Sequence, residues 1–319
     1  MTHGLVLQPW ADHAEVLGFA DEGLEVEVYD GGTEPAGEVL DRVTFYVPPY
    51  MGPERTLELL ARMPRLRVVQ TLTAGVDNVW PFLPDGVTLC NAAGVHDAST
   101  AELAVGLILA SLRRIDEFAR AQATGEWRHD RFDALADKRV LVVGAGRVAR
   151  ALVRRLEPFE VEITVVGRTR RETHDGSVVH GSDELPELLP GHDVVVLIVP
   201  QTVETTGLVD AAFLARMRRG ALLVNVARGG VVVTDDLLAA VRRGHVRAAL
   251  DVTDPEPLPV DHPLWTAPGV LISPHVGGDT TAFLPRAHLL VAQQLRRWRL
   301  GEPLENVMAR PGDETRGTP

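Results

Sequence analysis

Short apolar runs alternate with stretches of helical periodicity along most of the chain. Residues 140–143 form a continuous apolar run, as expected for a strand that is covered on both faces. In the following stretch Val148, Leu152 and Leu156 recur every fourth residue, so a helix there would turn one apolar face to a sheet. A second strand-like stretch follows at 161–166, where apolar and polar residues alternate before two valines. The pattern predicts parallel sheets joined by right-handed crossover helices.

The same pattern extends in both directions from this unit. Further strands are predicted at 4–7, 26–29, 42–47, 66–70, 87–90, 192–199, 221–226, 246–252 and 270–273, and helices at 53–63, 98–112, 210–217, 234–243 and 281–300. A chain of 319 residues is long for one core, so we expect two domains, both α/β with doubly wound parallel sheets. Residues 125–132 are typical of an irregular arm, and the polar tail 310–319 is expected to be disordered.

Composition narrows the class of partner. Lys and Arg total 32 against 44 Asp and Glu, a net charge of −12, which argues against nucleic acid as the main partner but leaves room for a local basic pocket. No apolar run is long enough to cross a membrane, and no basic stretch followed by an apolar core indicates a signal peptide. The single cysteine, Cys90, lies in a predicted strand and is expected to be a small buried apolar residue. These features favour a cytoplasmic protein.

The turn after residues 140–143 has the spacing of a dinucleotide-binding βαβ unit. Gly144 permits a sharp turn, and Gly146 lets a pyrophosphate approach the backbone because it has no Cβ. Ala149 is small enough for the helix to pack closely on the strand, and the helix N-terminus offers N–H groups to phosphate. The alternative is an ordinary βαβ turn without a ligand.

Three residues suited to proton transfer and carboxylate binding each follow a predicted strand. They are Arg228, Glu256 and His275, and the carboxyl ends of parallel strands meet at one sheet edge. Arginine forms a bidentate contact with a carboxylate, and histidine exchanges protons near neutral pH. A glutamate next to the histidine favours the charged form of the imidazole. Taken singly, each could instead be a surface ion pair, a solvated loop residue or a capped loop histidine.

These motifs together resemble the D-isomer-specific 2-hydroxyacid dehydrogenase family, in particular its glyoxylate/hydroxypyruvate reductase-like branch. The resemblance covers nearly the whole chain, short of the polar tail. The matching motifs are Gly144-Ala145-Gly146-Arg147-Val148-Ala149, Asn225-Val226-Ala227-Arg228-Gly229-Gly230, Asp251-Val252 leading to Glu256-Pro257-Leu258-Pro259, and Ser273-Pro274-His275-Val276-Gly277-Gly278.

The resemblance implies a fold and a set of roles. It implies a Rossmann-type nucleotide domain, residues 98–282, inserted in a flavodoxin-like substrate domain formed by 1–97 and 283–319. It implies that His275 is the catalytic acid and base, that Glu256 orients it, and that Arg228 binds the substrate carboxylate and carbonyl. It further implies substrate contacts from backbone N–H groups of Ala74, Gly75 and Val76, no metal, and a homodimer joined through the nucleotide domain.

The implied cofactor site departs from the NAD pattern at one place. The cofactor-binding residues it implies are Gly144, Ala145, Gly146, Arg147, Val148, Arg168, Thr169, Arg170, Val199, Pro200, Thr205, Val226, Ala227, Asp251 and Gly277. An NAD site has an acidic residue near position 167, which would repel a 2′-phosphate, whereas this chain has Gly167 followed by Arg168, Thr169 and Arg170. We therefore expect a preference for NADP, with Arg168 as the main phosphate contact. The alternative is a solvated basic turn.

The expected function is an oxidoreductase that transfers a hydride between NADP(H) and a small 2-oxoacid or D-2-hydroxyacid. A nucleotide-sensing co-repressor or scaffold of the same fold stays open as an alternative. A formate dehydrogenase-like enzyme is disfavoured because that branch resembles this motif with glutamine at position 256. His96, Leu72, Trp80 and Trp127 are candidates for shaping the pocket or for simple packing, and Trp127 and Phe132 in the arm suggest a subunit contact.

Overall fold

The structure, a computed structural model, describes residues 4–10, 24–174 and 176–310. The chain divides into two compact units, unit 1 within Met1–His96 and Thr281–Pro319 and unit 2 within Asp97–Thr280. The boundaries predicted from the sequence, at 97/98 and 282/283, lie within two residues of these. Of the tail expected to be disordered, all but Arg310 lies outside the described residues.

Strands and helices alternate through both units. The strands are β1 (Leu5–Gln8), β2 (Glu25–Val28), β3 (Val43–Tyr46), β4 (Val68–Gln70), β5 (Thr88–Cys90), β6 (Arg139–Val143), β7 (Glu162–Val166), β8 (Arg171–Glu172), β9 (Val178–His180), β10 (Val194–Leu197), β11 (Leu222–Asn225), β12 (Arg247–Leu250) and β13 (Val270–Ile272). The helices are α1 (Gly37–Leu40), α2 (Arg55–Glu58), α3 (Asp97–Arg113), α4 (Ile115–Ala123), α5 (Arg147–Leu156), α6 (Leu185–Leu188), α7 (Ala211–Arg216), α8 (Thr234–Arg242) and α9 (Phe283–Leu300).

Unit 1 is built on a five-stranded parallel sheet in the order β2-β1-β3-β4-β5. This is the flavodoxin-like order. Alternate residues of each strand enter the core on opposite faces of the sheet, and α9 packs its apolar side, including Ala287 and Val291, on one of them. Cys90 is fully buried in this core, and burial raises the pKa of its thiol to about 11, as expected for a packing residue.

Unit 2 is built on an eight-stranded sheet in the order β13-β12-β11-β10-β6-β7-β9-β8. Every neighbouring pair is parallel except β8 with β9. Strand order reverses between β6 and β10, which is the point where Rossmann-type sheets open a crevice at the carboxyl ends of their strands. Helices α3 and α5 cover one face, and α7 and α8 cover the other.

The predicted strands are confirmed, each within two residues at either end, and so is the predicted α/β class. The helix predicted at 53–63 divides into α2 and a 3₁₀ turn, Leu59–Arg62. Helices α1, α4 and α6 and strands β8 and β9 were not predicted. Arg114, in a left-handed conformation with φ of 55°, ends the long helix α3, and α4 begins immediately after it. Within the described residues, no helix has the length and apolar character needed to span a bilayer.

Trp127 and Phe132, the two aromatic residues of the arm at 125–132, differ in how far they are packed against the rest of the chain. Phe132 packs edge-on against Phe118 of α4, with ring centroids 5.2 Å apart, so this part of the arm folds back on its own chain. Trp127 is 94% exposed. Phe132 therefore packs within its own chain, while Trp127 keeps the exposed surface from which a subunit contact was predicted.

Candidate active site

The glycine turn after β6 has a steric requirement at one position and open space at another. Gly144 has a φ of +129°, and a Cβ there would lie 2.2 Å from the carbonyl oxygen of Ile198. Only glycine fits at 144. At Gly146 a Cβ would meet nothing within 4 Å, so packing within the protein does not explain the missing side chain. Open space above this backbone fits the approach of a phosphate group.

Helix α5 starts directly from this turn. Gly146 is its N-cap, and no side chain of the described residues caps its first turn, where Arg147 and Val148 lie. Buried Ala149 packs the helix onto the sheet, as predicted. The side chain of Arg147 is held by Asp97, with Nε 3.1 Å from Oδ2. The uncapped N–H groups and the helix dipole make this end of α5 suitable for an anion.

The end of β7 adjoins the glycine turn. A Cβ on Gly167 would lie 3.3 Å from the Cβ of Ala145, which places the following residue, Arg168, next to the turn. Arg168 is exposed, and its side chain forms no hydrogen bond or ion pair within the described residues. A hydrogen bond from the Thr202 hydroxyl lowers the pKa of Glu204, and the charge of Arg168 adds to that effect.

Arg170, two residues further on, already has a partner. Its Nη1 lies 2.7 Å from Oε2 of Glu184. Hydrogen bonds from His180 and from the Gly181 amide, followed by the charge of Arg170, lower the pKa of Glu184 to about 2. The carbonyl of Thr169 accepts a hydrogen bond from Arg171. Of the two predicted phosphate contacts, Arg168 is thus the guanidinium whose hydrogen-bonding groups are available.

The loop after β10 contains three more predicted cofactor residues, Val199, Pro200 and Thr205. The hydroxyl of Thr205 donates to the carbonyl of Pro200 at 2.6 Å and accepts from the amide of Thr202 at 2.8 Å. These bonds fix the curvature of the loop, which is a structural role. The assignment of these residues to a bound cofactor stays a prediction.

Arg228 is positioned by a buried asparagine at the end of β11. Asn225 is buried; its Oδ1 accepts from the Ala227 amide at 3.0 Å and its Nδ2 donates to the Arg228 carbonyl at 3.0 Å. These two bonds fix the turn through Val226 and Ala227. The half-buried Arg228 donates from Nη1 to the carbonyl of Ala227 at 2.7 Å. The positioning role of Asn225 was not predicted, because Asn225 entered only as part of the motif at 225–230. A single amide side chain near the end of a predicted apolar strand could have indicated it.

The next residue, Gly229, brings the loops of the two candidate residues Arg228 and Glu256 into contact. A Cβ on Gly229 would lie 1.9 Å from the carbonyl oxygen of Thr253. The hydroxyl of Thr234, at the start of α8, donates to the carbonyl of Asp254 at 2.6 Å. The segment that follows Arg228 is therefore packed directly against the loop that leads to Glu256.

His275 and Glu256 form a hydrogen-bonded pair at this edge of the sheet. Nδ1 of His275 lies 2.5 Å from Oε1 of Glu256, and the two side chains are 37% and 41% exposed. A carboxylate can only accept, so Nδ1 carries the proton in this contact and Nε2 faces away from it. His275 has a φ of 52°, a conformation that few non-glycine residues adopt.

Asp251 holds the loop in which His275 lies. Its carboxylate is buried and accepts three hydrogen bonds: from the Ser273 hydroxyl at 2.6 Å, the Val276 amide at 3.0 Å and the Gly277 amide at 2.9 Å. Its carbonyl accepts from the His275 amide at 2.7 Å. Asp251 and Gly277 were predicted to bind the cofactor; the structure gives both a role in orienting His275, and cofactor contact stays a prediction.

The predicted carboxylate loop lies in unit 1, between β4 and β5. The carbonyls of Ala74 and Gly75 accept from Asn91 at 2.8 Å and from Thr73 at 2.7 Å. Within the described residues, the amide N–H groups of Ala74, Gly75 and Val76 donate to no protein acceptor. A loop whose carbonyl groups accept hydrogen bonds while its amide N–H groups donate none is suited to binding an anion. The assignment of this loop to the substrate stays a prediction.

His96, Leu72 and Trp80, three of the four residues considered as candidates for shaping the pocket, have packing roles in unit 1. His96 is buried, its Nε2 lies 2.8 Å from the carbonyl of Leu72, and its ring stacks with Tyr50 and Phe283. Leu72 is buried too, and Trp80 packs against the core. The packing interpretation accounts for these residues.

Comparison with known proteins gives the family. The family model of the D-isomer specific 2-hydroxyacid dehydrogenase, NAD binding domain, matches residues 105–277. The chain belongs to this family, whose members are oxidoreductases that act on CH–OH groups with a nicotinamide cofactor.

Three relatives illustrate the match. D-3-phosphoglycerate dehydrogenase of Methanocaldococcus jannaschii is 32% identical over 309 residues, which are 94% of this chain but only 58% of that protein. Human glyoxylate reductase/hydroxypyruvate reductase is 34% identical over 252 residues, 76% of this chain and 77% of the relative. A D-isomer specific 2-hydroxyacid dehydrogenase from Xanthobacter autotrophicus Py2, solved with NADPH and MES, is 33% identical, with a TM-score of 0.79 over 96% of this chain and 98% of that chain.

Proposed function

We propose that this protein reduces a small 2-oxoacid, of the size of glyoxylate or hydroxypyruvate, to the D-2-hydroxyacid with NADPH. The observation that carries the proposal is the hydrogen bond between His275, which follows β13, and Glu256, which follows β12. Arg228 follows β11 at the same edge of the sheet. The similarity to human glyoxylate reductase/hydroxypyruvate reductase supports the substrate class.

The three side chains have complementary roles in this proposal. When bound, the nicotinamide supplies the hydride. His275, with its Nδ1 proton held by Glu256, donates a proton from Nε2 to the substrate carbonyl oxygen. Glu256 fixes the orientation of the imidazole ring by accepting from Nδ1. Arg228 pairs with the substrate carboxylate and stabilises negative charge that develops on the oxygen.

The glycine turn and Arg228 follow strands of the same sheet. This arrangement suits a cofactor bound where the strand order reverses, between β6 and β10. The turn through Gly144 and Gly146 and the first residues of α5 would hold the pyrophosphate. Arg168 would hold the 2′-phosphate, since Gly167 at the end of β7 supplies no competing carboxylate. The solved relative in complex with NADPH supports this preference.

The test is a panel of 2-oxoacids assayed with NADPH and with NADH, followed at the absorbance of the reduced nicotinamide. We expect oxidation of NADPH with glyoxylate or hydroxypyruvate, faster than with NADH at equal concentration, and chiral chromatography should show a D-hydroxyacid when hydroxypyruvate is the substrate. The His275→Ala variant is the control for contaminating reductases. Failure of wild-type protein to turn over any acid of the panel would favour a sensing or scaffold role instead.

A further inference from the structure

Unit 2 has a cavity at the end of the sheet opposite the candidate residues Arg228, Glu256 and His275. It has a volume of about 730 Å³ and is bordered by Gly220 before β11, Arg247 at the start of β12 and Gly269 before β13. Arg228 and His275 follow the other ends of β11 and β13. Strands of three to four residues separate the two places by roughly 10–13 Å. The cavity is therefore distinct from the site described above.

The charge of this cavity is opposite to that of the chain as a whole. Four arginines line it, Arg114, Arg131, Arg242 and Arg247, against one acidic residue, Asp133. The whole chain has a net charge of −12. An excess of arginine in one concave surface of an acidic protein favours local binding of an anion.

Arg247 is the arginine of the cavity that is held in place by hydrogen bonds within the protein. Its side chain is only 17% exposed, and its guanidinium contacts Asp133 at 3.1 Å and the carbonyl of Ser111 at 3.3 Å. Burial lowers the pKa of Arg247; the carboxylate of Asp133 opposes this, and the charge of Arg114 adds to it. Arg114 has a carboxylate partner of its own, Glu117, with Nη1 3.1 Å from Oε1. The positive charge that has no carboxylate partner within the described residues is therefore that of Arg131 and Arg242.

Arg131 and Arg242 are the adaptable part of the cavity. Both are exposed, and neither side chain forms an ion pair within the described residues. Arg242 is at the end of α8 and Arg131 is in the arm, so the two approach the cavity from different elements. The ring of Phe132 and the side chain of Leu112 supply apolar wall between the charges.

We propose that this cavity binds a small, multiply charged oxyanion, either a tricarboxylate or a polyphosphate. Guanidinium groups pair with carboxylate and phosphate oxygens through two parallel bonds. Two of them without a carboxylate partner within the described residues, Arg131 and Arg242, beside two that are already paired, suit a ligand with more than one charge. The volume is in the range of small-molecule sites. The proposal does not depend on the reaction at the other edge of the sheet.

The test is isothermal titration calorimetry of the full chain with citrate in one series and pyrophosphate in another, each with NADP⁺ present. Matched variants are Arg131→Ala and Arg242→Ala, which remove exposed side chains and should leave the fold intact. Arg243→Ala is the control, because Arg243 neighbours Arg242 and does not line the cavity. We expect one anion per chain, weakened about ten-fold or more by either cavity variant and unchanged by the control. The series with the higher affinity identifies the ligand class.

Three results would overturn the proposal: no binding of either anion to the wild type, equal affinity in wild type and both cavity variants, or loss of binding in Arg168→Ala alone. The last would place the anion in the cofactor site.

Discussion

Gly277 and Asp251 approach so closely that position 277 has no space for a side chain. The amide of Gly277 donates to Oδ2 of Asp251 at 2.9 Å, and a Cβ on Gly277 would lie 2.9 Å from the same oxygen. Together with the bonds from Ser273 and Val276, this contact sets the path of the loop that presents His275. Asp251 acts on the chemistry through that loop, as a positioning residue.

Asp251→Asn should therefore lower kcat without moving the pH profile of reduction. An amide replaces one accepting oxygen with a donor, so one backbone N–H of the loop loses its partner, which costs roughly 1–3 kcal/mol. We expect a lower Tm together with the loss of kcat. Asp261→Asn, in an exposed loop, is the matched control and should change neither. An unaltered kcat with a lowered Tm would limit Asp251 to a role in stability.

His275→Ala should lower kcat by about two to four orders of magnitude, the usual contribution of general acid catalysis. Glu256→Gln should act differently, because it keeps the side-chain shape and removes the negative charge beside the ring. It should lower kcat less than His275→Ala does, because the amide oxygen of glutamine can still accept the hydrogen bond from Nδ1. Steady-state rates of the two variants and the wild type measure both effects. Wild-type turnover in His275→Ala would exclude histidine from the mechanism.

Arg228→Ala should raise KM for the 2-oxoacid strongly and also lower kcat. Arg228 is proposed to bind the carboxylate in the ground state and to stabilise developing charge on the neighbouring oxygen. Arg228→Lys should recover part of kcat but little of KM, because an ammonium group cannot form two parallel bonds. A variant with changed KM and unchanged kcat would restrict Arg228 to substrate binding.

Arg168 and Arg170 offer a matched pair for cofactor choice. Arg168→Ala should reduce kcat/KM for NADPH by about ten-fold or more and leave that for NADH nearly unchanged, since a charge-assisted hydrogen bond contributes roughly 1.5–3 kcal/mol. Arg170→Ala should change the ratio of the two cofactors far less, because Arg170 is paired with Glu184. Equal kcat/KM for both cofactors in the wild type would show that this loop does not bind the 2′-phosphate.

Trp127 is the residue for testing the proposed homodimer. A tryptophan that is 94% exposed beside a self-packed Phe132 is an unusual apolar surface for a single chain. Light scattering at micromolar concentration should give twice the chain mass of 34.7 kDa, and Trp127→Ala should weaken the association. Val203→Ala, at another highly exposed apolar residue, is the control. A monomeric wild-type mass would contradict the prediction.

Sequence reasoning was most reliable where the physics is local. A continuous apolar run such as 140–143 predicts a covered strand, and strand ends in a parallel sheet predict that Arg228 and His275 share an edge. Arg170 pairs with Glu184, which is 14 positions away, and Asp251 accepts a hydrogen bond from Gly277, which is 26 positions away. No local sequence pattern predicts such distant partners. Helix α4 was missed because the break depends on a left-handed Arg114, a conformation that arginine rarely adopts.

The contact at Gly229 has a consequence for laboratory evolution of this protein. The carbonyl of Thr253 occupies the place that any side chain at 229 would need, 1.9 Å from an ideal Cβ. Substitutions in the loop that carries Glu256 and substitutions after Arg228 should therefore be strongly epistatic. A library that diversifies both segments at once would yield mostly inactive clones. Selection for new acceptor acids should proceed one loop at a time, with Gly229 held constant.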